Sequence, residues 1–199
     1  MTSIALAGLK GGVGTTATAC SLAVFLADYR QVGIDGLNPD QVAAYLGIGA
    51  TPPIGADLAP NLRYGIPEDG WATFEVHDCG TFADVLASGS ASPWWRADHC
   101  LAVTDRSYTA LRAGVHESSL LNSAEYALVV SDPERALGMT EVHRVLERPV
   151  LEIPTGPAIQ RIHDSGTMLV RQPDTMRRAM QRIIEKLDLM SNLTQGADA

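Results

Sequence analysis

The stretch "GLKGGVGTT", residues 8–16, decides how the rest of the chain is read. It follows "SIALAG" (3–8), a short apolar run that reads as a buried strand. It precedes "TTATACSLAVFLADY" (15–29), whose apolar residues fall on all sides of a helix, as in a helix that is buried all round. Gly11, Gly12 and Gly14 allow the tight backbone angles that turn successive N–H groups inward. The helix that follows contributes its positive end, so a loop of this make-up cradles a phosphate. One position departs from the usual form. Where a lysine would reach the phosphates, this chain has Thr15. Thr16 places a hydroxyl where a bound Mg2+ would need one.

Outward from the loop, strand-like and helix-like runs alternate. "QVGID" (31–35), "TFEVHD" (73–78), "HCLAVTD" (99–105), "EYALVVSD" (125–132) and "PVLEIP" (149–154) read as five further strands. The turn-forming "GLNPD" closes the first of these. Helices are expected over 106–121, over 139–147, and from Pro173 or Asp174, where the aspartate would act as a cap. Residues 48–72, rich in Gly, Pro and Ala, are expected to form a long surface excursion with little regular structure. Parallel strands need crossover connections, so the pattern predicts an α/β fold, a three-layer doubly wound and mostly parallel sheet. Ligands in such folds sit at the C-terminal ends of the strands. Residues 10–16 and the strand-ending Asp78 both fall there, which makes Asp78 the carboxylate that would support a Mg2+ ion on Thr16.

Bulk composition narrows the class. A chain of 199 residues, 46% hydrophobic and 19% charged, suits one packed domain, here 1–190, with a frayed tail over 191–199. A net charge of −8 excludes a protein that coats nucleic acid through its overall charge, although it leaves room for a local basic patch. Three cysteines at no metal-like spacing argue against a disulfide framework and for a reduced, cytoplasmic setting. The N-terminus lacks the features of a signal peptide, and no apolar run reaches the roughly 18 residues of a membrane span. His77 and Asp78 point to opposite faces by strand alternation, so His77 reads as structural. The other histidines are scattered, and the Trp94–Trp95 pair reads as a core cap beside a loop.

The whole pattern resembles the ParA/MinD family of deviant Walker A P-loop ATPases, whose loop runs K-G-G-x-G-K-T. Four further segments carry the resemblance: "VGIDGLNPDQVAAYLGI" (32–48) against the family's D-x-D-P-Q region, "FEVHDCG" (74–80) against its Walker B strand, "CLAVTDRSYTALRA" (100–113) against its fourth strand and helix, and "RPVLEIPTGPAIQRIHDSGTMLV" (148–170) against its late I-P…G segment. The resemblance implies ATP or ADP with Mg2+, held by Lys10, Gly11, Gly12, Val13, Gly14, Thr15 and Thr16, with Asp132 and Pro154 near the base. It implies Thr16, Asp35 and Asp78 at the metal. Lys10 would cross a dimer interface to the partner's nucleotide, and Asp35, Asn38 and Asp40 would stand nearest the attacking water.

Three departures qualify the expectation. The second loop lysine is Thr15, although the CpaE/TadZ pilus-positioning branch also carries a small residue there. The second aspartate of D-x-D maps, with one extra residue, to Asn38, which can hold a water but cannot take its proton; Asp40 is a candidate substitute. At the base, Ser131–Asp132 stands where the family often has asparagine. The expected function is therefore a partition or positioning protein that forms a nucleotide-dependent homodimer and hydrolyses ATP slowly. In the first version it segregates plasmid, phage or chromosomal DNA, is nucleoid-associated, and is reset by a ParB-like partner. DNA would then meet Arg177, Arg178 and Arg182 with Arg171. In the second it is a CpaE/TadZ- or MinD-like scaffold without DNA binding. The last helix carries Met176, Met180, Ile183, Ile184 and Leu187 on one face, which reads as packing on the sheet rather than on a membrane.

Overall fold

The protein is described by a computed structural model that covers residues 1–66, 70–132 and 137–194. In chain order the elements are β1 (Thr2–Gly8), α1 (Thr15–Ala27), β2 (Val32–Gly36), α2 (Pro39–Leu46), β3 (Asp57–Ala59), β4 (Leu62–Tyr64), β5 (Phe74–Thr81) and α3 (Phe82–Ser88). Two short 3-10 turns lead into β6 (His99–Asp105), α4 (Tyr108–His116), α5 (Ser118–Ser123), β7 (Tyr126–Ser131), α6 (Met139–Leu146) and β8 (Val150–Pro154). The chain ends in α7 (Pro157–Asp164), α8 (Asp174–Lys186) and α9 (Met190–Thr194).

These elements build one sheet in the order β3-β4-β2-β5-β1-β6-β7-β8, parallel throughout except for the β3–β4 pair. Alternation along each strand divides the core in two. Ile4 and Leu6 of β1 face one layer with α1 and α8, while Ala5 and Ala7 face the other with α3 to α6. The sheet is therefore wrapped on both faces, the three-layer α/β architecture that the sequence predicts. β1 lies in the middle, between β5 and β6, so the loop that leaves it opens at the sheet's C-terminal rim where the chain changes its direction of winding.

α1 is buried from Thr15 to Leu26 except at Thr16, because α2 and α8 flank it while the sheet lies behind. Its polar residues are satisfied locally: Thr18 Oγ1 donates to the Gly14 carbonyl at 2.8 Å and Ser21 Oγ to the Ala17 carbonyl at 2.7 Å. α8 lays Met176, Ala179, Met180, Ile183 and Ile184 inward, so its apolar face belongs to the core.

Three expectations are corrected. Residues 48–72 hold two strands, because Leu62 and Tyr64 alternate with Arg63 and bury fully or nearly so, which lets β4 pair with β2 in parallel. The helix expected over 106–121 is two helices: α4 stops at His116, Glu117 leaves helical geometry, and α5 turns to bury Leu120 and Leu121. The tail expected from 191 is helical as far as Thr194, since Leu193 finds a place in the core; 195–199 lie outside the described residues.

A tight contact fixes α7 onto the end of α2. Gly47, at φ 73°, caps α2, and a Cβ built there would lie 1.7 Å from the carbonyl oxygen of Gly166. Gly47→Ala therefore meets both a left-handed backbone and a backbone clash. The expected cost is about 2–4 kcal/mol, or a melting temperature lower by roughly 10 °C in a thermal scan.

Candidate phosphate-binding site

In the loop between β1 and α1 the Leu9 N–H donates to the Val103 carbonyl at 2.8 Å, and no backbone partner is found for the N–H groups of residues 10–14 among the described residues. Gly12 and Gly14 have φ of 77° and 91°, and Gly14 is the N-cap of α1 with no side-chain hydrogen bond to the helix start. No acidic residue sits in the first turn either. The first N–H groups of a helix need partners, and among the described residues no side chain caps this start. Gly8 is required at the base of the loop, because a Cβ there would lie 2.4 Å from Thr15 Oγ1 and 3.0 Å from the Lys10 carbonyl oxygen.

A cavity of about 740 Å3 opens in front of this loop. Lys10, Gly11, Gly12, Gly14, Thr15 and Thr16 line it together with Asn38 and Asp78. Thr16 Oγ1 donates to Asp78 Oδ2 at 2.5 Å, and the Gly80 N–H donates to Asp78 Oδ1 at 3.1 Å. Burial pushes the Asp78 carboxyl above its ordinary range, against the lowering effect of those two bonds. Lys10 is loosely held, its Nζ 3.9 Å from Asp105 Oδ2 and its side chain 32% exposed. Among the described residues, no group of three or more His, Cys, Asp or Glu could hold a metal by itself. A cation at Thr16 and Asp78 would therefore rely on oxygens brought by a ligand.

α2 and α7 also line the cavity, with Gln41, Ala44 and Tyr45 from the first and Gln160, His163 and Asp164 from the second, and Gln41 Oε1 lies 3.4 Å from Thr16 Oγ1. Sequence reasoning singled out none of these residues, although they lie in the 32–48 and 148–170 segments that carry the resemblance. The available signal was the spacing Gln160, His163, Asp164, which puts the three on one face of a helix, after a Gly-Pro helix start.

Several expected site residues do not meet in this cavity. Asp35 was expected at the metal and the water, but in the register of β2 against β5 it pairs with His77, while Gly36 pairs with Asp78. Strand alternation therefore turns Asp35 to the opposite face of the sheet. There its Oδ1 lies 2.9 Å from His77 Nδ1, and Glu75 Oε2 lies 3.6 Å from His77 Nε2. Burial opposes a charge on His77, yet the two carboxylates outweigh it and hold the imidazole above its ordinary range. Asn38 does line the cavity, but its side chain accepts from the Gln41 N–H as the N-cap of α2. Asp40 is exposed and accepts from Thr51 Oγ1. Val13 is buried in the core. Asp132 and Pro154 stand at the ends of β7 and β8, which Thr155 Oγ1 ties together by donating to the Ser131 carbonyl at 2.8 Å, and neither lines the cavity.

The C-terminal arginines also sort differently from expectation. Arg177 is engaged by Asp28 and lies over the Phe25 ring, so it is not part of an open basic surface. Arg178 instead joins Arg161 and Arg171 around a groove of about 600 Å3 between α7 and α8, and Arg182 lines a neighbouring groove with Arg178. Trp94 is buried, donating from Nε1 to Ser123 Oγ at 2.9 Å, while Trp95 is 47% exposed. All three cysteines are free, and burial pushes the Cys79 thiol up to about 12.

No family model matches the sequence, and no curated protein matches it. Solved structures do. The septum site-determining protein MinD from Pyrococcus horikoshii, complexed with Mg-ADP, superposes with a TM-score of 0.72 at 16% identity, covering 96% of this chain and 97% of that one. A putative plasmid partition protein from Borrelia burgdorferi, bound to AMPPNP, gives 0.72 at 12% identity over 94% of this chain and 98% of its own. An McdA–ATP complex from Cyanothece gives 0.68 at 13% identity over 95% and 97%. At such identities the likeness establishes the fold: this chain has the fold of the ParA/MinD P-loop ATPases. Among the described residues, no helix is long and apolar enough to cross a membrane.

Proposed function

We propose that this chain is a nucleotide-dependent partition or positioning protein of the ParA/MinD type, which binds ATP with Mg2+ and pairs with a second copy in that state. One observation carries the reading: the uncapped start of α1, behind the left-handed Gly12 and Gly14, shares a cavity with the Thr16–Asp78 pair. The loop N–H groups fit the β- and γ-phosphates, and Thr16 with Asp78 fits a Mg2+ ion that also contacts those phosphates. Bound nucleotide supplies the negative charge that completes the site and a γ-phosphate that distinguishes two states. Thr15 leaves the subunit's own loop without a lysine on the phosphates. Lys10, half-buried, with its Nζ 3.9 Å from Asp105 Oδ2 and donating to the Gly11 carbonyl at 3.3 Å, is a cation that could leave these weak ties to reach a partner's phosphates.

Hydrolysis is expected to be slow. Asn38 serves as the cap of α2 and has no proton-accepting carboxylate, and Asp35 faces away from Asp78. Such a protein acts as a timer or scaffold rather than a metabolic enzyme. DNA is the favoured surface, met by Arg161, Arg171, Arg178 and Arg182, none of which pairs with a carboxylate among the described residues. A ParB-like partner would then reset it. Thr15 and the net charge of −8 favour the second reading, a scaffold that uses nucleotide structurally and binds protein instead.

Light scattering tests the proposal. Wild type is expected to double its mass in ATP–Mg2+ but not in ADP–Mg2+ or without nucleotide, and Lys10→Ala is expected to stay monomeric in all three. A mass that never changes contradicts the switch. Co-sedimentation with DNA then separates the two readings: binding that needs ATP and weakens steeply from low to moderate salt supports partition, and its absence supports the scaffold.

A further inference from the structure

Thr16 and Asp78 give a cation two protein oxygens, and a third stands beside them. Gln41, the third residue of α2, brings its Oε1 to 3.4 Å from Thr16 Oγ1. Thr16 has one hydroxyl proton, and at 2.5 Å that proton belongs to the bond with Asp78 Oδ2. Thr16 Oγ1, Asp78 Oδ2 and Gln41 Oε1 therefore gather around a single proton. Oxygens of these kinds, rich in lone pairs and poor in protons, suit a hard cation.

Two contacts hold Gln41 in this place. Its N–H donates to Asn38 Oδ1 at 3.3 Å, within the cap of α2. The next residue, Val42, is buried against the end of β2, where a Cβ on Gly36 would lie 2.7 Å from Val42 Cγ2 and 3.3 Å from Asp78 Cβ. Glycine at 36 thus lets the start of α2 come close to Asp78. Gln41 itself is exposed and lines the cavity, so its amide is open to a bound ion. Asp35, the carboxylate expected at the metal, faces His77 on the other side of the sheet.

We propose that the Gln41 carboxamide oxygen is the third protein oxygen of the Mg2+ site, in place of Asp35. The inference rests on the nucleotide-binding reading above. It leaves the ion with one protein carboxylate and two neutral oxygens, a set that depends on phosphate oxygens for the rest of its shell.

The test measures ATP affinity calorimetrically, in Mg2+ and in EDTA, for wild type, Gln41→Ala, Gln41→Glu and Asp35→Asn, with thermal scans to show that each variant folds. Wild type is expected to bind ATP more tightly in Mg2+. Gln41→Ala should weaken binding in Mg2+ by about tenfold and leave binding in EDTA within about twofold. Gln41→Glu keeps the oxygen and adds a charge, so it should tighten binding in Mg2+ by about fivefold and should not tighten it in EDTA. Asp35→Asn should change neither. The inference is overturned if Gln41→Ala weakens binding equally in both conditions, or in neither. It is also overturned if the Mg2+-linked loss follows Asp35, or if Gln41→Glu weakens binding in Mg2+, which would mean that the amide nitrogen faces Thr16. Wild type that binds ATP equally with and without Mg2+ removes the cation site and leaves the nucleotide reading standing. Wild type that binds ATP in neither condition removes both.

Discussion

Asp78→Asn is expected to weaken ATP–Mg2+ binding by about 100-fold, while binding measured in EDTA changes little. The carboxylate is 4% exposed and accepts from Thr16 and from the Gly80 N–H, so its position is fixed before any ion arrives. The amide fills the same space and can exchange hydrogen bonds with a rotated Thr16 hydroxyl, but it lacks the charge that a Mg2+ ion needs. The same substitution should make the ligand-free protein more stable at neutral pH. Burial raises the Asp78 carboxyl above its ordinary range, so the folded chain holds this proton more tightly than the unfolded chain does. Stability from this group is therefore undiminished below the ordinary carboxylate range and falls as pH rises through the raised folded-state value. Asparagine removes that loss. Thermal scans should show no difference between variant and wild type in acid, and a higher melting temperature for the variant at pH 7. An ion-pair carboxylate would give the opposite sign.

Thr15→Lys is expected to raise ATP affinity by roughly 10- to 100-fold, the range of a hydrogen bond made by a charged group. Thr15 is 8% exposed with its hydroxyl against Gly8, and a lysine at this position has room only toward the cavity that it already lines. Turnover should rise far less than affinity, because Asn38 remains the helix cap and no carboxylate enters from Asp35. Titration read beside phosphate release measures both. An affinity that does not move would mean that the loop amides already satisfy the phosphates without a cation.

The sequence made the sheet legible because each of its six main strands holds an apolar run followed by Gly, Asp or Pro toward the functional rim. The loop was legible for the same reason: glycines, strand and helix stood in fixed order. β3 and β4 were not, since three residues each carry too little periodicity to stand out from a Gly- and Pro-rich stretch. Asp35 was misplaced by a matter of parity. One residue separates a carboxylate on the ion's face from one facing His77, and the extra residue before Asn38 hides that register from inspection. Asn38 shows a second limit, because an N-cap and a catalytic residue are indistinguishable until the helix start is located. His163 was passed over because metal spacing was the criterion, whereas its place in the cavity lining depends on the contact of Gly166, just after α7, with Gly47 at the end of α2, residues far apart in the chain.

The central claim is that this loop holds a nucleotide although Thr15 replaces its lysine, and a calorimetric titration of ATP–Mg2+ into the wild-type chain, with Thr16→Ala beside it, tests that claim directly. The account predicts saturable binding of one ATP per chain, clearly weaker in the variant. No heat and no saturation in wild type up to about 1 mM ATP would contradict it.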